Sequence, residues 1–242
     1  MKSELEIDKV FNGPPSCGQG GYVSGVVAKA HGAGICETSL KLPTPLASTL
    51  LLTSEDGETN LYSGDKLLVS AIDGVLDIEI PPCPSYSQTE KASANYRGHN
   101  SKVVFDTCFV CGTARHDHKA MRIFAGPVEN GDVDGLHAAN WIPNQAHCDE
   151  AKGVKEEFLW SALDCPGYFA GCEDGQLALL ARYTATTFGT LSAGERATVI
   201  GWPITSAGRK SIVGTAIFNE NRELVASAEG LWIKVDDFPI LK

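Results

Sequence analysis

The sequence has 242 residues, of which 43% are hydrophobic and 21% are charged. These values are close to those of ordinary globular proteins and exclude a disordered or fibrous chain. With 20 basic and 30 acidic residues, the net charge is −10 at pH 7. A charge of this sign repels nucleic acids and anionic membranes, so we expect neither as a partner.

The sequence predicts neither a membrane span nor a signal peptide. No stretch reaches the ~20 apolar residues of a membrane span, and the first ten residues have no apolar stretch typical of a signal peptide. Eight cysteines are too sparse for a small disulfide scaffold. We therefore expect reduced thiols and a cytoplasmic protein.

The first half begins with an alternating segment, 5–11, that predicts a strand. A run of small residues, 20–30, predicts a helix that ends at Gly32-Ala33-Gly34. Strands follow near residues 35–42, 48–54, 65–72 and 75–80. Residues 81–100, rich in Pro, Ser, Tyr and Asn, read as a connector.

The second half repeats this order. Strands are predicted at 120–125 and 136–142, a helix at 154–170, and strands near 177–188, 195–202, 210–218 and 223–235. Residues 21–25 (Gly-Tyr-Val-Ser-Gly) and 167–171 (Gly-Tyr-Phe-Ala-Gly) match at an offset of 146 residues, which indicates an internal repeat. The prediction is an α+β protein with two antiparallel sheets, each wrapped around a central helix.

Four motifs carry a resemblance to a known family. They are Phe-Asn-Gly-Pro-Pro-Ser-Cys-Gly-Gln-Gly-Gly-Tyr (11–22), Thr-Cys-Phe-Val-Cys-Gly (107–112), Ala-Leu-Asp-Cys-Pro-Gly (162–167) and Gly-Trp-Pro (201–203). Together they resemble the double-hotdog, thioesterase-like proteins of the hotdog superfamily. The resemblance implies a tandem hotdog with units at 1–95 and 101–242 and a linker at 96–100. It also implies an intrachain pseudo-dimer, able to pair further as a homodimer, that binds an acyl thioester where the two units meet.

Asp164 is the predicted catalytic residue. It lies in an otherwise apolar helical run just before Pro166, which removes a backbone donor. Apolar surroundings raise the pKa of an acid and let it act as a general base on water. The resemblance implies the same role, because acyl-CoA thioesterase II proteins carry a catalytic Asp at the corresponding helix position. The alternative is an Asp that only bonds the amides freed around Pro166. The repeat offset places Gly18 opposite Asp164, so we predict one competent site per chain.

Gly20 and Gly21 are the predicted oxyanion donors. Free N–H groups at a helix start can donate to a developing oxyanion. The resemblance implies this role for a His-Gly-Gly segment, in which Gln19 here replaces His. Close helix–sheet packing is the alternative use of such glycines. Asn12 and Gln19, which can orient a water molecule, and Tyr22 complete the predicted substrate-binding residues of this segment.

Arg209 and Lys210 form a basic pair in a turn between strands. In an acidic protein this pair is a place for coenzyme A phosphates to bind. A solvent-exposed hairpin tip is the alternative reading.

Cys108 and Cys111, with His116 and His118, are residue types that can bind zinc. The spacing matches known zinc sites poorly, so we predict no metal. Cys165 is predicted to be a small buried apolar residue rather than a nucleophile. No cofactor is expected, since coenzyme A would be part of the substrate.

The resulting hypothesis is an acyl-CoA or acyl-carrier thioester hydrolase. No Gly-x-Ser-x-Gly elbow, Walker loop or dinucleotide fingerprint occurs. The alternative is a non-catalytic module that binds an acyl thioester or another small ligand. A hydratase is a weaker third possibility, because no His follows Asp164 closely.

Overall fold

The computed structural model describes residues 2–100, 105–150 and 153–238. The predicted start of the second unit, residue 101, and the two ends of the predicted units, 1 and 242, lie outside these ranges. Three helices are described. They are α1 (Gly20–His31), α2 (Tyr86–Ala94) and α3 (Glu156–Gly171).

Most of the strands belong to one sheet. The strands in chain order are β1 (Lys2–Leu5), β2 (Ile35–Leu40), β3 (Leu50–Glu55), β4 (Glu58–Ser63), β5 (Lys66–Asp73), β6 (Gly126–Pro127), β7 (His137–Trp141), β8 (Cys148–Asp149), β9 (Gly153–Val154), β10 (Ala178–Thr187), β11 (Ala197–Ala207), β12 (Lys210–Phe218) and β13 (Leu224–Lys234). Eleven of them form an antiparallel sheet in the order β1-β3-β4-β5-β2-β10-β13-β12-β11-β7-β6, and β8 and β9 pair separately.

The sheet joins the two halves of the chain. Its first five strands precede residue 74 and the other six follow residue 125. The halves meet where β2 pairs with β10, with Ile35 opposite Thr186 and Ser39 opposite Arg182. The prediction of two separate sheets is therefore wrong, because two edge strands satisfy each other's backbone hydrogen bonds.

The two long helices lie against this sheet and against each other. Gly21 and Gly25 of α1 face α3, since a Cβ on Gly21 would lie 2.5 Å from the carbonyl oxygen of Trp160 and one on Gly25 would lie 2.8 Å from the Cα of Glu157. The helices run antiparallel, and Lys29 near the end of α1 pairs with Glu157 at 3.3 Å. Gly21 and Gly25 thus allow close helix–helix packing, rather than the helix–sheet packing that was the alternative use of Gly21.

Both helices begin and end for local reasons. The side chain of Gln19 caps α1 by accepting from the N–H of Tyr22, and Gly32 ends it in the left-handed conformation (φ 82°), as predicted. Glu156 and Glu157 stand in the first turn of α3, where negative charge suits the helix dipole. The helix continues through Pro166 to Gly171.

Three local predictions are wrong. Residues 75–80 and 120–125 form no strand, and the segment 5–11 is a strand only as far as Leu5, followed by a 3-10 turn at Lys9–Phe11. Strand β4 and helix α2 were missed.

Among the described residues, no helix combines the length and the apolar composition that a membrane span requires.

The five-residue match does not mark equivalent positions. Residues 21–25 lie in the first turns of α1, whereas 167–171 form the last turns of α3. The 146-residue offset therefore does not relate equivalent positions of α1 and α3, and the comparison of Gly18 with Asp164 that was based on it does not hold.

Candidate active site

A cavity of about 290 Å³ lies between the start of α1 and the C-terminal half of α3. Its walls come from the two helices, from the end of β2, from β10 and β13, and from the segments before α1 and around residue 108. The walls are mainly apolar, with contributions from Val23, Leu40, Leu42, Phe105, Phe169, Leu180, Trp232 and Phe238. A cavity with apolar walls and few polar groups is typical of a small-molecule site.

Asp164 is the acidic residue in this wall, and its side chain is 4% exposed. Its Oδ2 accepts two hydrogen bonds, from Nε2 of Gln19 at 2.5 Å and from the N–H of Gly21 at 2.6 Å. Within the described residues, Oδ1 has no hydrogen-bond partner. One oxygen is thus held in place, and the other is available to a ligand in the cavity.

Burial raises the pKa of Asp164 from 3.8 to about 7, and the neighbouring Cys108 sulfur adds to the rise. The hydrogen bonds from Gly21 and Gln19 act in the opposite direction because they stabilise the carboxylate. A carboxyl group with a pKa near neutrality can both accept and return a proton, which suits general acid–base chemistry.

Gln19 is fixed at both ends of its amide. Its Oε1 accepts from the N–H of Tyr22 at 2.6 Å, and its Nε2 donates to Asp164. The residue is 2% exposed and lines the cavity. Its place beside the carboxylate agrees with the predicted position in the site, although its visible contacts position Asp164 rather than a water molecule.

The two predicted oxyanion donors have different partners. The N–H of Gly21 is already bonded to Asp164. Gly20 lines the cavity at the first position of α1, and its N–H donates to none of the described residues. Only Gly20 therefore offers an unused amide to a ligand.

Asn12 and Tyr22 do not line the cavity. The amide of Asn12 donates to the carbonyl of Thr107 and accepts from Arg115, both in a contact between two loops. The ring of Tyr22 stacks on Phe11 at a centroid distance of 4.1 Å. Both side chains are occupied by packing, so the structure does not bring them to the predicted substrate site.

The basic groups are placed differently from the prediction. Arg209 and Lys210 are exposed at the β11–β12 turn, and neither lines the cavity, although Lys210 pairs with Ile233, which does. Lys41, exposed at the end of β2, is the cation among the described residues that line the cavity. Sequence reasoning missed Lys41 because a single Lys after a strand carries no distinctive signal.

Three cysteines also meet in the cavity wall. The Sγ atoms of Cys108, Cys111 and Cys165 all lie within 4.8 Å of one another. His116 and His118, which were weighed as partners of Cys108 and Cys111, are exposed and outside this group. Cys165 is buried, as predicted. Its contact with cysteines far away in sequence was not foreseen.

Solved structures with the same overall fold cover almost the whole chain. A TesB protein from Mycobacterium avium subspecies paratuberculosis matches with a TM-score of 0.60 at 14% identity, over 97% of this chain and 93% of that one. A proposed thioesterase II from Thermobifida fusca matches with a TM-score of 0.65 at 13% identity, over 98% and 94% of the two chains.

The third similar structure is named by its fold. It is a protein of unknown function with a hot dog fold from Alicyclobacillus acidocaldarius, and it matches with a TM-score of 0.61 at 8% identity, over 98% of this chain and 94% of that one. The chain has the hotdog fold. The expected resemblance is thus confirmed at the level of the fold. No established protein family matches the sequence, and no curated protein matches it either.

Proposed function

We propose that this protein is an acyl-thioester hydrolase built as two hotdog units in one chain, and that it acts on acyl-CoA or acyl-carrier thioesters. The observation that carries the proposal is the carboxylate of Asp164, buried in an apolar cavity. Its Oδ2 is held by Gln19 and Gly21, and its Oδ1 has no hydrogen-bond partner in the part of the chain that the structure describes. The arrangement of five strands with α1 and six strands with α3 supports the reading as two joined units.

In the proposed mechanism, Oδ1 of Asp164 accepts a proton from a water molecule as that water attacks the thioester carbonyl. A C–O bond forms, and the carbonyl oxygen becomes an oxyanion that accepts from the N–H of Gly20. The C–S bond then breaks, and the protonated Asp164 returns its proton to the departing thiolate. The products are a carboxylic acid and a thiol, and Asp164 is ionised again.

The cavity supports an acyl substrate. Its lining is apolar, with Leu40, Leu180 and Trp232 among the wall residues. Burial of a hydrocarbon chain against these side chains would favour binding. Lys41 in the same wall offers a positive charge for a phosphate of the thiol carrier. Two of the three similar structures are described as TesB or thioesterase II proteins, which supports the same reaction class.

One observation favours the alternative, a module that binds an acyl thioester without cleaving it. The N–H of Gly21, one of two predicted oxyanion donors, is occupied by Asp164. A site with one free amide has less capacity to stabilise an oxyanion than a site with two.

We place the protein in the cytoplasm, in keeping with eight free cysteines.

The decisive experiment compares the unchanged protein with Asp164→Asn on a panel of acyl-CoAs of increasing chain length. Loss of thioester is followed by liquid chromatography, because the protein's own cysteines would react with a thiol reagent. Asn keeps the size of the side chain and removes the base, so we expect hydrolysis to fall by about 10²–10⁴-fold. Glu157→Gln, which removes a carboxylate from the same helix outside the cavity, should hydrolyse at the original rate.

The outcomes separate the two functions. Hydrolysis that Asp164→Asn leaves unchanged removes Asp164 from the mechanism. If acyl-CoAs raise the melting temperature of the unchanged protein but their thioester is not hydrolysed, the protein is a binding module. A ligand specific for the folded state raises the apparent stability of that state.

A further inference from the structure

The three cysteines in the cavity wall converge from two separate parts of the chain. Cys108 and Cys111 belong to an irregular segment, and Cys165 stands on α3, 57 residues after Cys108. All three are buried, at 3–7% exposure, and all line the cavity. Reduced thiols gathered in this way, with access to solvent through a cavity, have the donor atoms that a thiophilic metal ion prefers.

The sulfurs lie at the distance of reduced thiols in contact, which is also close to the spacing around a metal ion. The Sγ atoms of Cys108 and Cys165 are 3.9 Å apart, and all three sulfurs lie within 4.8 Å of one another. A tetrahedral zinc ion with Zn–S bonds of about 2.3 Å needs sulfur–sulfur distances of about 3.8 Å. A disulfide would need about 2.05 Å. Small side-chain movements would therefore complete the metal geometry.

The turn that carries two of the sulfurs is built to present them. The N–H of Gly112 donates to the carbonyl of Cys108 at 2.8 Å, and a Cβ on Gly112 would lie 2.3 Å from the carbonyl oxygen of Asp106. Glycine is therefore required directly after Cys111.

The segment that carries Cys108 and Cys111 is irregular and buried. Residues 105–125 contain no helix or strand, yet Phe109 and Val110 are fully buried. Irregular segments of this length are uncommon inside compact domains unless they serve a function. A metal ion bound to Cys108, Cys111 and Cys165 would tie the segment to α3 beside the cavity.

We propose that Cys108, Cys111 and Cys165 bind one zinc ion, with the fourth coordination position open to the cavity. No fourth His, Cys, Asp or Glu of the described chain joins the group. Three protein ligands with an open position distinguish this arrangement from closed structural sites. Zinc binding converts up to three thiols into thiolates and releases their protons to solvent. Water from the cavity, or a thiol carried by a ligand, then occupies the fourth position.

The test uses the full chain, treated with a chelator and kept reduced with a phosphine under anaerobic conditions. Titration with Co²⁺ should saturate at one equivalent per chain, with thiolate-to-cobalt charge transfer in the near ultraviolet and the strong visible bands of tetrahedral Co²⁺. Zn²⁺ added afterwards should abolish these bands. This readout is independent of thioester hydrolysis, so the metal site and the proposed function can fail separately.

Single substitutions locate the site. Cys108→Ser, Cys111→Ser and Cys165→Ser should each weaken Co²⁺ binding at least about tenfold, since even loss of an outer-shell partner costs ~10–100-fold. Cys36→Ser removes a buried cysteine of β2 that is outside the group and should bind as before. The absence of a charge-transfer band in the unchanged protein would overturn the proposal, whether or not the variants fold. Co²⁺ binding that is unchanged in each of the three variants would overturn it as well.

Discussion

The N–H of Gly21, in the first turn of α1, donates a 2.6 Å hydrogen bond to Oδ2 of Asp164, 143 residues further along the chain. The contact is possible because Gly21 has no side chain. A Cβ there would lie 2.5 Å from the carbonyl oxygen of Trp160 and 2.8 Å from the Cβ of Asp164. Gly21 therefore contributes to the close approach of the two helices and also holds the carboxylate.

Gly21→Ala should push the helices apart. We expect the free energy of unfolding to fall by about 1–3 kcal/mol, the usual cost of overpacking a close contact, as measured by urea denaturation. Gly34→Ala is the matched control, because a Cβ at Gly34 meets no atom within 4 Å. That variant should stay within about 0.5 kcal/mol of the unchanged protein. Equal stability of the two variants would contradict the role of Gly21 as a spacer.

Gln19→Met should lower kcat more than it raises KM. Methionine is similar in length but cannot donate to Asp164, so the carboxylate loses a charge-assisted hydrogen bond of about 1.5–3 kcal/mol. Because that bond stabilises the carboxylate, its loss raises the pKa of Asp164 further, so less of the base is ionised at pH 7 and kcat should fall there by roughly tenfold and recover at higher pH. Steady-state kinetics on an acyl-CoA substrate measure both constants.

The same change removes the cap of α1, so its control must lose a cap elsewhere. Ser85→Ala removes the N-cap of α2, which lies outside the cavity lining. Both variants should lose about 0.5–2 kcal/mol of stability, but only Gln19→Met should lower kcat. If Ser85→Ala slows hydrolysis equally, Gln19 acts through stability alone.

Local signals in the sequence predicted the long helices well and the sheet less well. The small residues from Gly20 and the apolar run around Asp164 each mark a helix by their own composition. The joining of β2 to β10 depends on residues such as Cys36 and Ala185, which meet only after both halves have folded. No local pattern encodes such a pairing, so two separate sheets were predicted.

Residues 120–125 show how an apolar run can mislead. The run contains buried Met121 and Ile123, which suggested a strand, but Arg122 between them has a positive φ of 56°. The N–H groups of Met121 and Ile123 donate to the carbonyls of Phe109 and Val110 rather than to a ladder. The side chains fill the core from an irregular segment that periodicity cannot distinguish from a strand.

Some residues that line the candidate cavity could be named from the sequence, but their mutual contacts could not. Asp164 could be singled out because a carboxylate without a nearby partner in sequence rarely stands in an apolar helix. Gln19 and Gly21 were named as site residues, yet their bonds to Asp164 cross from one half of the chain to the other. The meeting of Cys108 with Cys165 was beyond reach for the same reason.

His147 should make the protein less stable in mild acid. It is 1% exposed, and burial, with lesser contributions from Lys119 and His118, holds its pKa below 6.5. Below pH 6.5 the unfolded chain therefore binds a proton that the folded chain resists, so stability falls as the pH drops from 6.5 toward the lower folded pKa. Urea denaturation at a series of pH values measures this slope.

His147→Gln should reduce the dependence of the free energy of unfolding on pH below 6.5, since glutamine does not titrate. His116→Gln replaces an exposed histidine and should leave the slope as it was. A slope that both variants preserve would assign the acid sensitivity to other groups.

Lys41→Ala tests where the thiol carrier binds. Lys41 lines the cavity, and its backbone is fixed by a 2.7 Å hydrogen bond from its N–H to the carbonyl of Leu68. If its ammonium group meets a coenzyme A phosphate, its loss should cost about 0.2–1 kcal/mol, the value of an exposed ion pair. We therefore expect KM for an acyl-CoA to rise at most ~5-fold, with kcat unchanged.

A substrate pair isolates the phosphate contact. An acyl-pantetheine thioester carries the same acyl chain without the nucleotide phosphates, so Lys41→Ala should leave its KM unchanged. The double variant Arg209→Ala/Lys210→Ala removes the basic pair outside the cavity lining and should change KM for the acyl-CoA less than Lys41→Ala does. If the double variant raises KM and Lys41→Ala does not, the phosphates bind at the β11–β12 turn, where the sequence alone had placed them.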